Sequence, residues 1–150
     1  MKRNSRLSAA LHALLHMAER DTPMTSDDIA ACLNTNAVVV RRTMAGLREA
    51  GLVESGRGHG GGWVVTRPLC EISLLDVHLA LGEPDLLQIG HATENPGCVV
   101  EQVVNSALDE TMKEAEDILL RRFGEIKLED MAAAFRARSA GHAATAHRTG

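Results

Sequence analysis

Residues 36–50 read NAVVVRRTMAGLREA and run directly into GLVESGRGHGGGWVV at residues 51–65. In the first part Val40, Met44 and Leu47 recur at helical spacing, with arginines between them. Asn36 offers a capping oxygen at its start, and Gly51 stands where a helix ends. The second part sets two short apolar segments, Leu52-Val53 and Trp63-Val64-Val65, around Gly56-Arg57-Gly58-His59-Gly60-Gly61-Gly62. That pattern predicts a β-hairpin with a long glycine-rich tip.

Upstream, Leu7, Leu11, Leu14 and Leu15 predict a helix over residues 5–20, stopped by Asp21-Thr22-Pro23. Thr25-Ser26-Asp27-Asp28 supplies a cap and first-turn acids for a short helix through Leu33, and Asn34-Thr35-Asn36 reads as a turn. Downstream, Pro68 closes the hairpin, Ser73 opens a short helix to about Leu81, and residues 83–97 read as a loop ending in Asn95-Pro96-Gly97. A long helix follows over residues 98–123. Its Val100, Val104, Leu108, Met112, Ala115 and Leu119 keep a spacing close to a coiled-coil seam. Little apolar sequence is left to cover that seam, which predicts a homodimer. A short helix at residues 128–135 and a polar, disordered tail at 136–150 complete the reading.

Composition bounds the function. The chain has 150 residues, 45% of them hydrophobic, enough for a core. Aromatics are only 2% (Trp63, Phe123, Phe135), which argues against an aromatic-lined substrate pocket and against stacking of single-stranded bases. No run approaches the roughly 20 apolar residues of a membrane span. The basic start, Met1 to Arg6, leads into an amphipathic segment containing His12 and His16, unlike a signal-peptide core. Three widely spaced cysteines (Cys32, Cys70, Cys98) do not form a secreted disulfide framework, so a cytoplasmic protein without membrane contact is expected. Residues 1–67 carry nine Lys/Arg against six acids, a balance of +3, while the remainder carries seven against fourteen, −7. A basic front half on an acidic chain suggests a local polyanion-binding face.

Helix, short helix, tight turn, helix and glycine-rich hairpin is the order of a winged helix-turn-helix. The expected fold class is mainly α, with a small two-stranded β-wing and a long C-terminal dimerisation helix. Residues 1–82 would form the DNA-binding domain, 83–97 a connecting loop and 98–135 the dimerisation helix with its short companion. On the third helix Asn36, Arg41, Arg42, Thr43 and Arg48 supply donors for a major groove. Arg57 and His59 at the wing tip would meet a minor groove or a phosphate, and Lys2, Arg3 and Arg6 would add phosphate contacts. The bland alternative is a solvated arginine face beside a flexible loop.

A family resemblance rests on Ala50-Gly51-Leu52-Val53, Arg57-Gly58-His59-Gly60-Gly61-Gly62-Trp63, Arg67-Pro68 and Ile72-Ser73-Leu74-Leu75-Asp76-Val77. Together they resemble the IscR/NsrR/CymR-type family of bacterial transcription regulators, over roughly residues 5–125. The resemblance implies a dimeric repressor of double-stranded DNA with two half-sites. His59 stands where many members have proline. Trp63 is expected to pack the wing against the first helix.

Many members hold an iron–sulfur cluster on three closely placed cysteines, whereas this sequence has only Cys98 in that region. No cofactor and no metal site are therefore expected; zinc-type paired spacing is also missing beside the cysteines. Asn95-Pro96-Gly97-Cys98-Val99 resembles the HypR/YwnA-like thiol-switch branch. Cys98 opens the long helix, where exposed amides favour a thiolate. The resemblance implies oxidation of Cys98, with Cys32 of the other subunit as a candidate partner; Cys32 is equally readable as ordinary helix packing. Cys70 reads as structural. A small-molecule effector on the same fold, an iron–sulfur-dependent regulator and a protein-interaction module remain rivals. A thiol enzyme is disfavoured, because only His91 lies within a loop of Cys98 and no pocket-forming constellation accompanies it.

Overall fold

The computed structural model describes residues 5–58, 61–82, 86–87, 95 and 97–146, with side chains from residue 6 to 141. Among these described residues six helices and one hairpin follow in order: α1 (Ser5–Ala18), α2 (Ser26–Leu33), α3 (Ala37–Glu49), β1 (Val53–Ser55), β2 (Trp63–Val65), α4 (Leu74–Ala80), α5 (Val99–Glu125) and α6 (Leu128–Ala146). A single 3-10 turn, Leu69–Glu71, precedes α4. No described helix is long and apolar enough to cross a membrane.

Local chemistry accounts for the helix-turn-helix. Thr25 and Asp28 form a reciprocal capping box at α2: Asp28 N–H donates to Thr25 Oγ1 at 3.1 Å, and Thr25 N–H donates to Asp28 Oδ2 at 3.0 Å. Asn34 ends α2 in the left-handed region, φ 51°. Two residues on, Asn36 Oδ1 accepts from the Val38 and Val39 amides at 3.1 and 3.0 Å and starts α3. One asparagine stops a helix and the next begins another, which makes the turn tight. At the far end of α3, Leu52 N–H reaches Leu47 O and Gly51 N–H reaches Arg48 O, both at 2.9 Å, closing a Schellman motif.

The hairpin pairs Val53 with Val65, Glu54 with Val64 and Ser55 with Trp63. Its second strand also bridges Met24, the residue before the α2 cap: Trp63 N–H donates to Met24 O at 2.8 Å, and Met24 N–H donates to Trp63 O at 3.1 Å. The wing is thus hydrogen-bonded to the helix-turn-helix at its base.

One core joins these elements. Leu14, Met24, Ile29, Met44, Leu47, Leu52, Ile72 and Val77 are all fully buried within it. Leu128 and Ala132 of α6 are buried there too. Main-chain bonds from Leu74 N–H to Ile126 O (3.0 Å) and from Leu128 N–H to Ile72 O (2.9 Å) pin the α5–α6 junction beside α4. The C-terminal helix therefore completes the head rather than merely following α5.

α6 also continues to Ala146, past the residue 135 at which the sequence pattern ends it. Residues 136–146 are helical, not part of a tail; residues 147–150 lie outside the described residues. Alanine, the strongest helix former, dominates the added turns. Arg136 further clasps Glu129 on its own helix and Glu19 beyond α1, at 2.6 and 2.9 Å. α5 contributes no fully buried residue, and Val99, Val100, Val103 and Val104 at its head are 50–70% exposed.

Candidate nucleic-acid interface

The face of α3 turned from the core begins in its first turn. Val40, Thr43, Met44 and Leu47 form the buried stripe, spaced three and four residues apart. Outside that stripe stand Val38 and Val39, which are 59% and 46% exposed, and the exposed Arg41, Arg42 and Arg48. Arg57 is exposed on the wing. None of these four arginines is ion-paired to a described residue, whereas Arg67, Arg122 and Arg136 each face a glutamate. Four cations without a countercharge, on a helix and a hairpin held together at the base, form a surface suited to phosphate.

Thr43 is a correction to the sequence reading. At 8% exposure it belongs to the buried stripe, and with Val40 and Met44 it lines the floor of the groove that Arg6 borders. Asn36 is exposed, but its side-chain oxygen is committed to the α3 cap. Arg6 lies on the exposed side of α1 and lines a 290 Å³ groove with Asn34, Thr35 and Val39, beside the start of α3. Lys2, Arg3 and His59 lie outside the described residues. The sequence reading overlooked Val38 and Val39; their phase, Val38 opposite the buried stripe and Val39 at its flank, was the available signal. An exposed valine in the first turn of such a helix can contact a thymine methyl.

The wing needs its glycines for close approach. A Cβ on Gly62 would stand 2.8 Å from Met24 O, so no side chain fits where the hairpin meets the α2 entry. Trp63 donates its indole N–H to Ser26 Oγ at 3.0 Å, fixing the wing to the first residue of α2.

The cysteines sit on three separate elements. Cys32 on α2 and Cys70 in the 3-10 turn are exposed; Cys98 is half-buried at the N-cap position of α5. The Cys98 side chain makes no capping hydrogen bond, and its N–H donates to Asn95 O at 2.9 Å. His91 lies outside the described residues.

An exposed helix of unpaired arginines behind a tight two-helix turn, with a tethered glycine-rich hairpin beside it, defines a winged helix-turn-helix DNA-binding protein. The chain belongs to the Rrf2 family, whose model, described as an iron-dependent transcriptional regulator, it matches over residues 3–134. It is 34% identical over 128 residues to YwnA of Bacillus subtilis (strain 168), named as an HTH-type transcriptional regulator, covering 85% of this chain and 95% of YwnA. YwgB of the same organism, named likewise, is 31% identical over 120 residues, covering 78% and 75% of the two chains. Among solved structures, a transcriptional regulator from Lactobacillus plantarum superposes with a TM-score of 0.74 at 20% identity, covering 87% of this chain and 89% of that one. CymR of Staphylococcus aureus in its oxidized form gives 0.65 at 23%, covering 88% and 96%. These two likenesses show the shared fold. The protein is a sequence-specific DNA-binding transcriptional regulator.

The iron in the family's description was tested against the residues present. An iron–sulfur cluster needs several thiolates within a few ångströms of one another. Among the described residues no group of three or more His, Cys, Asp or Glu side chains comes together in that way. The described part of one chain does not fit such a cluster.

Proposed function

We propose that two copies of the chain pair through α5 and lay two copies of α3 in successive major grooves of a duplex with two half-sites, repressing transcription in the cytoplasm. The observation that carries this reading is the set of unpaired arginines, Arg41, Arg42, Arg48 and Arg57, on α3 and the wing. Arg41 and Arg42 hold phosphate or guanine, Val38 and Val39 read thymine methyls, and Arg57 meets the minor groove or its phosphates. Arg6, with Lys2 and Arg3, adds phosphate contacts that position without specifying. Pairing through α5 is supported by the exposed valines at its head, an apolar stripe that a second copy would cover.

The input of this proposed switch is Cys98. It is half-buried at the N-cap position of the 27-residue α5, where a change at the sulfur would act on the start of the helix proposed to pair the two copies. A hydroperoxide would oxidise Cys98 and the partner subunit's Cys32: two thiols lose two electrons and two protons, one S–S bond forms, and the hydroperoxide becomes an alcohol and water. Cys32 is exposed on α2, accessible to that reaction. A fold shared with a CymR structure in an oxidized form is consistent with such an input. Genomic DNA capture with reduced and oxidised protein tests both halves: one operator with two half-sites is expected, with occupancy that changes on oxidation and ceases to change in Cys98→Ser. An oxidant response that survives Cys98→Ser contradicts the sensing role.

A further inference from the structure

His12 and His16 stand one turn apart on α1, with their ring centroids 4.7 Å apart and their Nε2 atoms 2.9 Å apart. Leu15 beside them and Phe135 across from them on α6 wall a pocket of about 110 Å³. It shares no lining residue with the groove beside α3, and no cysteine borders it. His12 is exposed and His16 half-buried, so the pair opens to solvent on one side. Burial first, then the neighbouring His12 and Arg20, hold the His16 imidazole below its ordinary pKa and keep it neutral at pH 7.

A helix fixes residues four apart on one face, so the two nitrogens converge by backbone geometry rather than by chance of a loop. Imidazole nitrogens bind divalent metals at about 2.0–2.1 Å. At that bond length two nitrogens 2.9 Å apart subtend about 90° at a shared ion. A tetrahedral ion would need them roughly 3.3 Å apart. The spacing matches a cis pair in square-planar, tetragonal or octahedral coordination, the geometries of Cu(II) and Ni(II). Both carboxylates at this seam, Glu19 and Glu129, are held by Arg136 at 2.9 and 2.6 Å. Water is left to fill the remaining positions.

We propose that His12 and His16 form a two-histidine site for a late first-row divalent ion, Cu(II) or Ni(II), at the seam between α1 and α6. It is separate from the cysteines and from the DNA-facing surface. For both Nε2 atoms to bind one ion, the ring that donates its Nε2 proton in the metal-free pair moves to the Nδ1 tautomer.

Titration of the reduced, tag-free full chain with Ni(II) in a calorimeter tests the site. One equivalent per chain is expected, weakened at least about tenfold in His12→Asn and in His16→Asn, and unchanged in Cys98→Ser. Cu(II) added to wild-type protein with alkylated cysteines gives a readout free of any folding defect in the variants. Two equatorial nitrogens are expected in its electron paramagnetic resonance spectrum. Absence of Ni(II) binding, binding that survives both asparagine substitutions, dependence on Cys98, or a Cu(II) spectrum with fewer than two nitrogens would each overturn the proposal.

Discussion

The Trp63 indole N–H donates to Ser26 Oγ at 3.0 Å, so the first residue of the second wing strand is tied to the first residue of α2. The backbone bridge between Trp63 and Met24 lies alongside that bond. The wing therefore enters any DNA complex as part of the helix-turn-helix body. Sequence reading placed Trp63 against the first helix; β2 does pack beside α1, and the indole hydrogen bond adds a tie to the second helix. Trp63→Phe and Ser26→Ala should each lower stability by about 1 kcal/mol in urea unfolding. The double substitution should cost less than the sum of the two, because both remove one bond. Full additivity would mean that the bond contributes nothing.

Gly46 lies where α3 crosses the end of α4. A Cβ there would stand 2.6 Å from Ala80 O, a backbone atom that cannot swing aside. Gly46→Ala should therefore destabilise by about 1–3 kcal/mol, despite the better helix propensity of alanine. A thermal melt at or above that of wild type would show that α4 yields more easily than the packing implies.

The buried and exposed faces of α3 predict opposite phenotypes. Val38→Ala should weaken operator binding while leaving the melting temperature nearly unchanged, and its effect should vanish on a site whose contacted thymine is replaced by uracil. Thr43→Val should leave operator specificity as it is, since the side chain faces the core. Binding selections on randomised duplexes measure both.

Acid should loosen α4. Burial raises the Asp76 pKa, but hydrogen bonds from the Ser73 N–H (2.8 Å) and hydroxyl (2.7 Å) outweigh it, and the carboxyl is held below its ordinary value. A depressed folded-state pKa stabilises the protein above the unfolded value of about 3.9, and that stabilisation is lost as pH falls through the folded-state pKa. Asp28, lowered by the Thr25 side chain and then its backbone N–H, acts in the same direction. Urea midpoints measured from pH 6 downward should fall below about pH 4, and Asp76→Asn should flatten that fall.

Much of the head was legible because its punctuation is local. Asn34 and Asn36 mark the turn within three residues, Ser73 and Asp76 cap α4 within four, and the glycines between two short apolar segments mark the wing. Thr43 went astray because its hydroxyl outweighed its phase: positions 40, 43, 44 and 47 are one stripe. Leu128 could not be placed from local pattern, since it fills a core whose other buried members all lie upstream of the long helix α5. Which arginines lack a countercharge depends equally on distant neighbours. The helical turns beyond residue 135 were missed because polar composition was read as disorder, while alanine content and the Arg136 clasp favour a helix.

The central claim is that α3 and the wing hold duplex DNA through unpaired arginines. Fluorescence anisotropy on a captured operator, titrated over a range of salt with wild type and Arg42→Ala/Arg57→Ala, tests it most directly. The wild-type log affinity should fall linearly with log salt, and the double variant should bind more weakly with a slope shallower by about 2. Equal affinity and equal slope for the two proteins would contradict the account.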